Sequence, residues 1–147
     1  MNSLQKSMTN LLQVLRIHDQ ISGTKEDLGK LGVIDLYSLE AIYQLKEPTI
    51  GTISKLLGQS TPNTNYHIKK LEKNGLIEKR LDDVDRRVTH LFVTDKYTKM
   101  LEKDSDYWTE LQRKLEEEVT PSDLATFKRV LRQTTDVIFD SLDENNQ

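Results

Sequence analysis

Residues 49–76 read TIGTISKLLGQSTPNTNYHIKKLEKNGL and carry two helix signals around one turn. Ile50, Ile53, Leu56 and Leu57 make a short apolar face, and Gly58 stands where a left-handed residue closes a helix. Thr61-Pro62 then offers an N-cap hydroxyl followed by proline at the first helical position. The second helix is expected to run to Asn74-Gly75, another stop signal. Two helices joined by a turn of about four residues are a helix-turn-helix.

On the C-terminal side, LIEKR is a short strand, DDVDRR a turn-rich connection and VTHLFVT a strand of period two, which together predict a hairpin. Tyr97, Leu101, Trp108, Leu111 and Leu115 then predict one long helix. Thr120-Pro121-Ser122 interrupts the pattern, and Leu124, Phe127, Leu131 and Ile138 predict a last helix. On the N-terminal side, LYSLEAIYQLKEP places Leu36, Leu39, Ile42, Tyr43 and Leu45 on one helix face that Pro48 ends. Leu4, Met8, Leu11 and Leu15 form the stripe of a first helix that stops at Ser22-Gly23. The reading is one domain, mainly α with a small β-hairpin.

Composition narrows the function. The 147 residues contain no cysteine, which excludes disulfides, thiolate metal sites and thiol redox sensing. No apolar run approaches the ~20 residues of a membrane span, and the N-terminus lacks a signal-peptide core, so a cytoplasmic protein with no membrane partner is expected. The net charge of −3 is uneven: residues 46–99 hold 11 Lys and Arg against 7 Asp and Glu, a basic middle between acidic ends. His18, His67 and His90 are scattered without ligand spacing, so no metal is expected. Glu116-Glu117-Glu118 reads as a solvated face, and neither a phosphate loop nor a nucleophile elbow is present. Neither catalysis nor a cofactor is expected.

This order of elements resembles the MarR family of winged helix-turn-helix transcriptional regulators. The family's wing pattern, D-x-R followed by five residues and Leu-Thr, is matched by Asp85-Arg86-Arg87, VTHLF and Val93-Thr94, with Val in place of Leu. LEKNGLIEKR, residues 71–80, is similar to the family's exit from the recognition helix into the first wing strand. The recognition helix departs from the family at Asn63, Thr64 and His67, where small or apolar residues are usual, so the resemblance does not carry over the base sequence read. It implies a DNA-binding lobe over residues 36–99 and dimerisation helices over 1–22 and 100–142.

At about 100° per residue, Thr64, Ile68, Leu71 and Gly75 cluster on the inner side of the second helix. Pro62, Tyr66, Lys69 and Lys73 face outward, flanked by Asn63, Asn65 and Lys70. Amides near a helix start can pair with base edges, and lysines further along can meet phosphates. The DNA-contact candidates on this helix are Asn63, Thr64, Asn65, Tyr66, Lys69 and Lys70. The resemblance implies that Arg87 enters the minor groove, that Asp85 holds it by an ion pair and that Arg86 meets phosphate. Asp82 and Asp83 are expected to keep the hairpin turn in water.

A single winged helix makes few contacts, so a homodimer on a pseudo-palindromic stretch of double-stranded DNA is expected. Leu4, Met8, Leu11, Leu124, Phe127, Leu131 and Ile138 are the candidates for its core; packing of the first helix on the last within one chain is the other reading, and the two are compatible. The resemblance further implies a small aromatic or lipophilic effector, for which His18, Tyr37, Tyr43, Tyr107 and Trp108 are the available side chains. The expected function is a ligand-responsive repressor; the alternative is a winged helix used only for protein-protein interaction.

Overall fold

The computed structural model describes residues 2–22 and 28–144. The chain divides into two compact units, one ending at Gly32 and the other beginning at Val33. The first holds helix α1, Ser3–Ser22. Asn2 starts it, its Oδ1 accepting the Gln5 N–H at 2.7 Å. No residue of α1 is buried, and Leu4, Leu11, Leu12, Val14, Ile17 and Ile21 are all exposed.

The second unit runs α2 (Val33–Leu45), α3 (Ile50–Leu57), α4 (Thr61–Lys73), β1 (Ile77–Leu81), β2 (Thr89–Val93), α5 (Asp95–Leu101), α6 (Ser105–Glu118) and α7 (Pro121–Glu144). It is a mainly helical fold with a two-stranded antiparallel hairpin, pairing Ile77 with Val93 through to Leu81 with Thr89. Leu39 and Ile42 of α2, Ile53 of α3, Ile68 and Leu71 of α4 and Leu91 of β2 are fully buried and form the core. Their burial removes several aliphatic side chains from water, each contributing about 1.5–3 kcal/mol. Tyr97 of α5 joins them, packed edge-on to Tyr43 at 5.8 Å, and burial pushes its hydroxyl up to about 12. Tyr43 itself lies at the exposed rim of α2 and not on its buried face, which instead includes Asp35 and Ser38.

The turn between α3 and α4 is built from local hydrogen bonds. Thr49 caps α3, its hydroxyl accepting the Thr52 N–H at 3.1 Å. Gly58 closes it at φ 62°, and Gln59 N–H donates back to the Ser54 carbonyl at 2.9 Å. The cap of α4 is Ser60, whose hydroxyl accepts the Asn63 N–H at 3.2 Å. This sits one residue before the expected Thr61, which with Pro62 occupies the first turn. Gly75, at φ 70°, ends α4, with Leu76 N–H donating to the Leu71 carbonyl at 3.0 Å.

A third segment extends the hairpin. Leu91 N–H donates to the Pro48 carbonyl at 2.8 Å, and Thr49 bridges to His90, so the α2–α3 connection lies along β2. At the hairpin base the Thr94 hydroxyl donates to the Gly75 carbonyl at 2.6 Å, tying the end of β2 to the end of α4.

The single long helix expected from Tyr97 to Leu115 is two helices. Glu102, Lys103 and Asp104 form a turn whose N–H groups bond three residues back, Glu102 to Lys99 and Lys103 to Met100. Tyr97 fixes α5 to the core, and this charged turn lets α6 take its own direction. The pattern breaks at Thr120-Pro121 as expected, and Thr120 caps α7, its hydroxyl accepting the Asp123 N–H at 3.1 Å ahead of Pro121.

Gly58 and Gly75 both need a left-handed backbone, while a methyl at Gly58 meets nothing within 4 Å and one at Gly75 only the Lys96 chain at 3.7 Å. Gly58→Ala and Gly75→Ala should each therefore lower stability by about 1 kcal/mol through conformation alone. Urea unfolding would show this as a lower midpoint at an unchanged slope. A neutral result at either site would mean that the turn relaxes to another backbone shape.

Candidate nucleic-acid interface

The outer face of α4 is set by what its inner face must satisfy. Asp35 is only 1% exposed, and its two oxygens are met from α4: Oδ1 lies 2.6 Å from His67 Nδ1 and Oδ2 2.7 Å from Lys70 Nζ. The hydrogen bond to Asp35 holds the Lys70 ammonium charged, raising it above the usual lysine value. With His67 and Lys70 turned toward α2, Asn63, Tyr66, Lys69 and Lys73 are left exposed and Asn65 half-buried. Tyr66 is 64% exposed and stands edge-on to His67 at 5.2 Å. The Asn63 amide donates to the Gln59 side chain across the turn.

Two expectations on this helix are corrected. Thr64 is 2% exposed and its hydroxyl donates to the Ser60 carbonyl at 3.0 Å, so it is a core residue of the turn with nothing to offer a partner. Lys70 is not an independent cation on the surface, because its ammonium is bound to a buried carboxylate. Asp35 escaped the sequence reading, which began the second helix at Leu36. Its only trace there is a basic pair three residues apart on α4, which does not say where the carboxylate lies.

The wing tip is a chain of carboxylate caps. Asp82 Oδ1 accepts the backbone N–H groups of Val84 at 2.9 Å and Asp85 at 2.8 Å. These bonds, that to Asp85 foremost, together with His90, hold the Asp82 carboxyl down to about 2. Asp82 is thus the organiser of the turn and more than a solubilising charge. Asp85 does the same one step on: Oδ1 accepts both the Arg87 N–H at 3.0 Å and its Nε–H at 3.1 Å, and Oδ2 accepts from Nη2 at 3.3 Å. The Arg87 guanidinium keeps the Asp85 carboxyl below its usual range. Arg87 nevertheless remains 91% exposed: Asp85 aims it without covering it. Arg86 and Asp83 are also exposed.

The residues expected to meet an effector are placed on several elements. Tyr37 is exposed, Tyr107 and Trp108 stack edge-on at 5.4 Å on the surface of α6, and His18 belongs to the N-terminal unit. Tyr43 lines a shallow open pocket of about 400 Å³ with Gln44, Lys46, Phe92 and Val93. Among the described residues no cluster of His, Asp and Glu is arranged to hold a metal ion, and no helix is long and apolar enough to cross a membrane.

Known proteins share this arrangement. The MarR family pattern matches residues 31–88, from just before α2 to the wing. An uncharacterized HTH-type transcriptional regulator of Bacillus subtilis, YsmB, is 27% identical over 93 residues, which are 63% of this chain and 64% of that protein. Among solved structures, a mutant of MepR from Staphylococcus aureus superposes with a TM-score of 0.65 at 19% identity, covering 88% of this chain and 96% of that one. FabT of Streptococcus pneumoniae in complex with DNA superposes with a TM-score of 0.53 at 17% identity, covering 92% and 98%. The match thus covers the helix-turn-helix and the hairpin as far as Val88, and over these residues the chain is similar to the MarR family.

Proposed function

We propose that this protein is a sequence-specific DNA-binding transcriptional regulator, acting in the cytoplasm as a homodimer, and that it is not an enzyme. The observation that carries the reading is the wing: Arg87 is almost wholly exposed yet held in one direction by a two-contact ion pair and a backbone hydrogen bond with Asp85. An exposed surface pair adds little stability, so its geometry is accounted for by what the guanidinium reaches, the narrow minor groove. The exposed amide of Asn63 and the ring of Tyr66 suit base edges in the adjacent major groove, with Lys69 and Lys73 on phosphates. FabT, a solved relative, was crystallised with DNA, which supports this reading.

Exposed apolar side chains support the homodimer. Leu4 and Leu11 on α1, and Phe127, Leu131 and Ile138 on α7, all face solvent in the single chain. Met8 is half-buried, and Leu124 is already buried, which removes it from the surface available to a second copy. A two-fold dimer would place its recognition helices about 34 Å apart on a pseudo-palindromic site. The exposed rings of Tyr37, Tyr107 and Trp108 support a small aromatic or lipophilic effector that releases the repressor from its operator.

Selection of bound sequences from a random pool would supply the operator, and recovery of no enriched sequence would sink the reading. On that operator Arg87→Ala should weaken specific binding by about tenfold, with the fold and the oligomeric state unchanged. A melted or monomeric variant would make Arg87 a structural residue instead.

The two adjacent lysines of α4 should behave differently. Lys69→Ala should lower affinity on all sequences alike and reduce the slope of log affinity against log salt by about 1, at unchanged stability. Lys70→Ala leaves an oxygen of the buried Asp35 without its ammonium, so it should lower the urea midpoint as well as affinity. Equal stability of the two variants would show that Asp35 does not depend on Lys70.

A further inference from the structure

His90 lies on β2 opposite Arg80 in the hairpin register, with 26% of its side chain exposed. Each ring nitrogen meets an oxygen. Nδ1 is 2.9 Å from the backbone carbonyl of Glu47 in the α2–α3 connection, and Nε2 is 2.8 Å from Oδ2 of Asp82. A carbonyl oxygen only accepts, so Nδ1 must carry a hydrogen. Asp82 is an ionised carboxylate whose other oxygen already accepts two backbone N–H groups. Its Oδ2 is therefore an acceptor too, and Nε2 must also carry a hydrogen. A neutral imidazole has one N–H, so the two contacts together require the imidazolium.

From this geometry we infer that His90, in its doubly protonated form, is the positioning residue of the wing: it fastens Asp82, which shapes the turn that aims Arg87, to the α2–α3 connection, and DNA binding weakens when it loses a proton. The inference rests on the DNA-binding reading above. The contacts run in series. His90 Nε2 donates to Asp82; Asp82 accepts from Val84 and Asp85; Asp85 accepts from the backbone and guanidinium of Arg87. A neutral imidazole keeps one of the two hydrogens, so deprotonation sets a lone pair against either the Glu47 carbonyl or the Asp82 carboxylate, and in both cases the tie through His90 between the wing tip and the α2–α3 connection is broken.

The charges that act on His90 are the carboxylates of Asp82 and Glu47. Arg80 stands across the strand pair, its guanidinium held by Glu78 and lying 4.4 Å from the Phe92 ring. The hydrogen bond to Asp82, then that to Glu47, raises His90 above its ordinary value of 6.5. The sign follows directly. A raised histidine contributes stability that is complete below 6.5 and is lost as pH rises through its higher folded value. Asp82, lowered from 3.8 to about 2, contributes stability that is present above 3.8 and lost only as pH falls through about 2. The upper edge, set by His90, is the one near neutrality.

The test uses the full chain in two measurements. The imidazole nitrogens of His90 and the backbone amides of Val84, Asp85 and Arg87 are followed by NMR from pH 5 to 9 without DNA. His90 should titrate above 6.5, with the three amides moving at the same midpoint. Affinity for the selected operator is then measured across the same range, at constant ionic strength, for the wild type and for His90→Gln, which cannot become charged. The wild type should bind about fivefold tighter than His90→Gln at pH 6 and no tighter at pH 8.5. Parallel profiles for the two proteins, or a His90 midpoint at or below 6.5, would overturn the proposal; the comparison isolates His90, since the two proteins differ there alone. If the wild type binds no DNA at any pH the DNA-binding reading falls, and the amide titration alone decides whether His90 holds the wing.

Discussion

Asp35 is a carboxylate with almost none of its surface in water, and such a group is tolerated only where donors replace its hydration. Both of its oxygens are met from α4, by His67 and Lys70. Turning α4 by one residue, about 100°, would carry both of these donors away from a buried charge. The apolar contacts of Leu39 and Ile42 with the Ile68 and Leu71 side of α4 favour the same rotation but tolerate small slips, since aliphatic packing is not directional. The charged contacts are. They fix which side of α4 faces out, and hence that Asn63, Tyr66, Lys69 and Lys73 form one surface.

The hairpin reaches a comparable definition by different means. Its tip has no core of its own, and Val84 is fully in solvent, so order there must come from hydrogen bonds between near neighbours. Asp82 and Asp85 each close a turn by accepting N–H groups two or three residues on, a habit of short acidic side chains. Local bonds alone would leave the tip free to swing as a unit. His90 and the Leu91 to Pro48 hydrogen bond join the second strand to the α2–α3 connection and so to the helical core. The wing tip is therefore an outlying part of the lobe held by few, directional contacts, while Ile77 and Leu91 nearer its base are buried in the core.

What could be read from the residues divides along the same line. Helix ends marked by Gly58, Asn74-Gly75 and Thr120-Pro121 were legible because caps and left-handed turns are decided by residues within a few positions of each other. The hairpin and the exposed wing arginine were legible for the same reason. The break at residues 102–104 was not, because the apolar periodicity continues through it and no glycine or proline marks it. Asp35 with His67 and Lys70 spans more than thirty positions, and His90 with Glu47 spans 43. Pairings at such distances leave no local pattern, so the residues that orient the outer face of α4 and the wing stayed hidden while the exposed ones did not.

The same pairings change what the charge pattern means. The excess of basic residues between positions 46 and 99 is a net count, and several of its members are consumed inside the lobe: Lys70 by Asp35, Lys79 by Glu72 at 3.3 Å and Arg80 by Glu78. A cation bound to a neighbouring carboxylate contributes little to the field felt by a phosphate a Debye length away, about 8–10 Å at ordinary salt. Lys69 and Lys73 on α4, with Arg86 and Arg87 on the wing, are exposed, and Arg87 is paired in a way that leaves its guanidinium open to solvent. Part of the positive surface thus lies on the outer face of α4 and at the hairpin tip, two elements tied together by the Thr94 hydroxyl and the Gly75 carbonyl, with Lys46, Lys55, Lys96 and Lys99 exposed elsewhere. A chain of net negative charge can present a basic face when its acids are spent orienting its bases, and here Asp35 pairs with Lys70, Asp82 with His90 and Asp85 with Arg87.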